Sequence, residues 1–237
     1  MEERKNNEGG NKGKQQVTQI EKWLRKHKLE YTAATRHPFI YSIHDGSIHF
    51  SSYKKWLERE YLFVKIALAP FAASVLLKAW KESVDSSDVE LILAVLGYLN
   101  DEICWLKEEA PKWHISLTND VVDDNKHVLD YFGFFERLTS PEVKYSEAVT
   151  ILWAVESVYH NGFGHCLEEG NNTPNEMKEG CKIWGSENFK QYCQSLENIA
   201  NTRLEEASNE QVSKTEVLIL EFFENVVRFW NMNLGET

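Results

Sequence analysis

Across residues 17–232 the apolar side chains recur every three or four positions rather than every second one, so the elements this chain can bury are helices and not strands. The last such stretch is the most demanding. Between Val217 and Trp230 apolar residues cover so much of the helix circumference that a largely surrounded helix is expected. No strand pattern and no internal repeat interrupts the series, and the expected architecture is all-α: an up-and-down helical bundle forming a single domain over 17–233, after a polar tail at 1–16.

Helix boundaries follow from capping chemistry. A first helix is expected over 17–31, and a short one over 37–43, with Pro38 in its first turn and Asp45-Gly46 closing it. Ser51 is expected to cap a long segment over 52–81, bent or broken at Pro70, which removes a backbone donor. Ser87 and Glu90 have capping-box spacing and open a helix running to 109, and another is expected over 125–138. Ser140-Pro141 reads as a start signal for 141–168, Thr173-Pro174 for 174–183 and Ser186 for 186–207. Ser213 with Glu216 forms a further box, opening the last helix to 232.

Charge narrows the function. A formal net charge of -11 with no basic stripe argues against nucleic acid and anionic membranes as partners. The longest apolar run, 66–77, contains Pro70 and is shorter than the roughly 20 residues of a membrane span. Residues 1–16 have no apolar segment of the secretory type, so a cytoplasmic location is expected. Cys104, Cys166, Cys181 and Cys193 form no CxxC pair and no zinc spacing, which reads as reduced thiols.

Acids and aromatics on apolar helix faces are the candidates for chemistry. Glu60 and Phe63, three apart, share a face; the bland alternative pairs Glu60 with Arg36 or Lys54 at the bundle rim. Of the adjacent Asp101 and Glu102, one is expected to face inward. In the aromatic run from Tyr131 to Phe135, Tyr131 can aim a hydroxyl at a ligand. Glu156 is the sharpest signal: it is the lone charge in the apolar stretch Ile151-Leu152-Trp153-Ala154-Val155-Glu156-Ser157-Val158-Tyr159, where an acid must be paired, protonated or at work. His160 lies one turn on, but no second Glu-x-x-His unit accompanies the pair, and no metal is expected.

The stretch from His37 to Ile48, Trp56-Leu57-Glu58-Arg59-Glu60-Tyr61-Leu62-Phe63, Asn100 to Trp105, Tyr131, Trp153, Trp184 to Phe189 and Phe229-Trp230-Asn231-Met232 together resemble the TenA family, related to thiaminase II, in order and spacing. The resemblance implies a haem-oxygenase-like helical fold without haem, no cofactor, a homodimer or larger assembly, and a pocket for a 2-methyl-4-aminopyrimidine. Ile151 stands where one branch carries a cysteine, and Trp153-Ala154-Val155-Glu156 is similar to the Glu-type branch that lacks it, which includes plant seed-maturation-related members. Glu60 matches the family's pyrimidine-contacting aspartate, one methylene longer. Phe63, Tyr131 and Trp184 match the aromatic residues that would sandwich the ring, and Glu102 is counted with the substrate-binding residues. The family's glutamate on the last helix is replaced by Val226; Glu224 is the nearby acid counted as a candidate, although it lies about 200° around the helix from Val226.

What the resemblance implies is an aminopyrimidine aminohydrolase of thiamin pyrimidine salvage. It would convert 4-amino-5-aminomethyl-2-methylpyrimidine, or its N-formyl form, to the 5-hydroxymethyl compound, with Glu156 and Glu60 as catalytic residues. The alternative is a catalytically impaired pyrimidine-binding protein. A di-iron oxidase on the same fold would need interior histidines, and Leu106 stands near one such position.

Overall fold

A computed structural model of the chain describes residues 17–83, 86–117 and 126–234. The tail at 1–16 lies outside them. Among the described residues there is no strand, and the chain runs through α1 (Gln19–Lys26), α2 (Lys28–Thr35), α3 (Pro38–Asp45), α4 (Phe50–Leu62), α5 (Ala69–Glu82) and α6 (Ser86–Glu109). It continues through α7 (Lys126–Leu138), α8 (Tyr145–His165), α9 (Asn175–Gly185), α10 (Glu187–Glu206) and α11 (Asn209–Asn231). A π-helical turn, Phe63–Leu68, joins α4 to α5, and a 3-10 turn, Ala110–Trp113, follows α6. The all-α single-domain bundle read from the periodicity is what forms.

At its centre is α8, buried without interruption from Tyr145 to Tyr159 and packed against α2, α3, α5, α9, α10 and α11. An element enclosed on all sides accepts an acid only with a local reason, which is what singles out Glu156. The surrounding core is aromatic: Trp56, Trp153, Trp184 and Trp230 are among its largest fully buried side chains. Gly46 closes α3 at φ +78°, and a Cβ there would meet the Asn172 carbonyl oxygen at 2.6 Å, so only glycine fits the turn.

Several boundaries differ from the local signals, each for a tertiary reason. The first expected helix is two, separated at His27, whose ring nitrogen Nε2 lies 2.6 Å from the Glu216 carboxylate of α11. Pro70 does not break its helix. The backbone widens into the π-helical turn just before it, where the Ala69 N–H bonds the Val64 carbonyl five residues back, and the helix continues. The resulting run, Phe50–Glu82, is long and apolar enough to cross a membrane, yet half of its most apolar window is buried in the bundle, as in a core helix. Ser140-Pro141 forms a turn instead of opening α8. Lys78 Nζ donates to the Ser140 carbonyl at 2.6 Å, and the helix starts at Tyr145, where Glu147 accepts from the Lys144 N–H at 2.7 Å. The last helix starts one turn before Ser213, because Ser208 and Gln211 complete a reciprocal capping box there.

Candidate active site

Neighbouring elements bring three carboxylates together: Glu60 on α4, Glu102 on α6 and Glu156 on α8. Glu60 is fully buried and Glu156 is 6 % exposed, so neither sits in bulk water. The rim pairing of Glu60 is not seen; Arg36 instead donates to the Asn161 carbonyl. Burial pushes the Glu60 carboxyl up to about 8, opposed by the Tyr159 hydroxyl and the nearby Trp56 indole and reinforced by the charge of Glu156. Burial likewise raises Glu156 to about 8, opposed by Tyr192 of α10. Glu102 is raised well above the usual range, by burial first and then by Glu60 and Glu156, so it is the inward member of the Asp101-Glu102 pair. Carboxylates this close in a dry site hold protons between them at neutral pH, which suits acid and base work.

A cavity of about 300 Å³, at the small end of the range for ligand sites, opens between α6, α8 and the α9–α10 junction. Glu156, Glu102, Trp184, Trp105 and Phe189 line it. Glu60, Phe63 and Tyr131 form a layer outside that lining. There Phe63 stacks on Tyr131, with ring centroids 4.9 Å apart and planes 11° from parallel. The expected sandwich by Phe63, Tyr131 and Trp184 is therefore not preformed as one slot. The first two pack on each other, and Trp184 stands on the cavity wall with Phe163 at 4.7 Å. Tyr159 links the two layers: its hydroxyl donates to Glu60 Oε2 at 2.8 Å, and its ring centroid lies 5.7 Å from that of Trp184. Glu60 Oε1, Trp56 Nε1 and the hydroxyls of Tyr131 and Tyr192 are buried polar atoms that make no hydrogen bond of ordinary length, although Trp56 stands near Glu60 and Tyr192 near Glu156. They cluster about the acids, and such groups are paired in most proteins unless they serve a site.

Glu224 is not brought into this site. Its side chain is 70 % exposed and pairs with Arg228 one turn on, while Val226, on nearly the opposite side of α11, is fully buried. Glu221 is also at the surface, paired with Arg137. His160 is engaged elsewhere: Nδ1 donates to the Trp184 carbonyl at 2.8 Å and ties α8 to α9. Among the described residues no group of three His, Cys, Asp or Glu side chains converges as a metal site. Sequence reasoning passed over Tyr159, Tyr192 and Trp56. Tyr159 could have been found, since it lies three residues after Glu156 and so shares its helix face. Tyr192 belongs to another helix and carries no local signal, and Trp56, although it opens one of the resembling stretches, is linked to the acids only by packing.

Residues 22–236 match the model of the TENA/THI-4/PQQC family. A Glycine max protein named "Probable bifunctional TENA-E protein" is 52% identical over 219 residues, covering 92% of this chain and 94% of that one. Among solved structures, a TenA homologue from Pyrococcus furiosus superposes with a TM-score of 0.80 at 19% identity, covering 91% of this chain and 99% of that one. A TenA homologue from P. horikoshii gives 0.74 at 14% identity, covering 92% and 98%. At those identities the two structures speak for the fold alone, and they agree with the haem-oxygenase-like helical architecture.

Proposed function

Because the chain belongs to the TENA/THI-4/PQQC family, we propose that it hydrolyses 4-amino-5-aminomethyl-2-methylpyrimidine to ammonia and the 5-hydroxymethyl compound, in salvage of the thiamin pyrimidine. The observation that carries this reading is Glu156, a buried acid raised to about 8 on the wall of a small aromatic cavity. The TENA-E name of the Glycine max relative supports assignment to the Glu-type branch. The N-formylamino compound presents the same ring and is a second substrate of the same chemistry.

In the first step protonated Glu156 gives its proton to the nitrogen of the 5-aminomethyl group as the bond from that nitrogen to the methylene carbon breaks, and ammonia leaves. The Glu156 carboxylate then takes a proton from water as the water oxygen bonds the same methylene carbon, which restores the acid. Glu60 accepts a hydrogen bond from the ring 4-amino group, whose electron pair stabilises the positive charge developing at the methylene. Trp184 supplies a ring face, and Phe63 with Tyr131 supplies a second once their mutual stack opens. Glu102 lines the cavity beside Glu156, and its raised carboxyl supplies a further hydrogen-bonding group for a polar ligand.

Replacing Glu156 by Gln keeps the shape and removes the proton. Turnover of the aminopyrimidine, followed by ammonia release, is expected to fall by about 10²- to 10⁴-fold; activity near the unmutated level would take Glu156 out of the mechanism. Val226, fully buried where relatives are expected to carry an acid, favours a second reading as a pyrimidine-binding protein without turnover. Calorimetric binding of the hydroxymethylpyrimidine with no ammonia released from the aminomethyl compound would select it.

A further inference from the structure

We propose that Tyr159 is a positioning residue for Glu60, pinning one carboxylate oxygen so that the other is presented to the ring of the ligand. This rests on the reading above, in which Glu60 binds the 4-amino group. The Tyr159 hydroxyl donates to Glu60 Oε2 at 2.8 Å, while Oε1 of the same fully buried carboxyl makes no hydrogen bond of ordinary length. The tyrosine ring is itself caged, with Trp230 at 5.4 Å, Trp184 at 5.7 Å and Phe163 at 5.9 Å between centroids, so the hydroxyl has little freedom. A glutamate has one more side-chain torsion than an aspartate, and at this position the extra torsion would let the carboxyl swing away from a ring. A fixed donor on one oxygen removes that freedom, and because the donor sits on α8 it also sets Glu60 relative to Glu156, one turn earlier on the same helix. The bond opposes the rise in the Glu60 pKa, so it favours the charged form that accepts from a ring amino group.

The test is Tyr159→Phe, which deletes one atom from the ring cage and is expected to leave far-ultraviolet circular dichroism unchanged. Two readouts separate positioning from packing. Titration of the Glu60 carboxyl, assigned by difference infrared spectroscopy against Glu60→Gln, should move to higher pH in the variant without any ligand present. KM for the aminopyrimidine should rise about tenfold or more, with a smaller fall in kcat, and Tyr159→Phe should add less than about twofold on a Glu60→Gln background. An unmoved carboxyl titration, or a KM effect that persists in full without the Glu60 carboxylate, overturns the proposal. A moved titration in a protein whose unmutated form neither binds nor hydrolyses aminopyrimidines upholds the Tyr159–Glu60 link and overturns only the substrate reading.

Discussion

An acid kept protonated by burial leaves a thermodynamic signature. Glu156 has a folded-state pKa of about 8, raised by burial above the ordinary glutamate value of 4.5. Between those values the folded protein holds a proton that the unfolded chain has lost, so this group lowers stability as pH rises through the window. The contribution is at most about 5 kcal/mol, since each tenfold change in acidity corresponds to about 1.4 kcal/mol. Glu156→Gln should therefore gain stability over the unmutated protein at pH 8 and little at pH 4.5, measured by denaturant unfolding at both. An equal difference at the two values would mean that Glu156 ionises in the fold as freely as in water. His37 has the opposite sign: burial lowers it to about 4, so its share of stability is present above about 6.5 and is lost as pH falls toward 4. At the N-cap of α3 its Nδ1 accepts from the Phe39 N–H at 3.1 Å, which requires that nitrogen to be unprotonated.

At the scale of elements, the helix starts decide what holds each boundary. Ser208 caps α11 and exchanges hydrogen bonds with Gln211, whereas Ser213 lies inside the helix, where its hydroxyl donates to the Asn209 carbonyl. Ser208→Ala should cost about 1 kcal/mol and Ser213→Ala less than about 0.5 kcal/mol, read from chemical denaturation. Comparable losses would mean that the helix begins at the later serine. The π-helical turn shows a different control. Pro70 needs relief from the carbonyl four residues back, and one extra residue in the turn supplies it without ending the helix. That turn begins at Phe63, three residues after Glu60, so the accommodation of a proline also sets the register of a site layer.

For the whole molecule, a ligand that enters the cavity binds only the folded state and must stabilise it. At a concentration one hundred times Kd, the hydroxymethylpyrimidine should contribute about 2.7 kcal/mol and raise Tm by roughly 5 to 10 °C. No shift at millimolar ligand would count against both the hydrolase and the binding-protein readings. The helical class, the single domain and the isolation of Glu156 were legible from residue order alone, because helix periodicity and an acid among apolar neighbours are local facts. The breaks at His27 and at 140–144 were not, because their causes are Glu216 and Lys78, far away in the chain. Likewise the residue series identified which acids were out of place, but only packing could bring Glu60, Glu102 and Glu156 from three helices to one dry site, pair Glu60 with Tyr159 and leave Glu224 in solvent. Spacing along a helix fixes which side chains share its face; which face meets which is set by how the helices bury their apolar surfaces together.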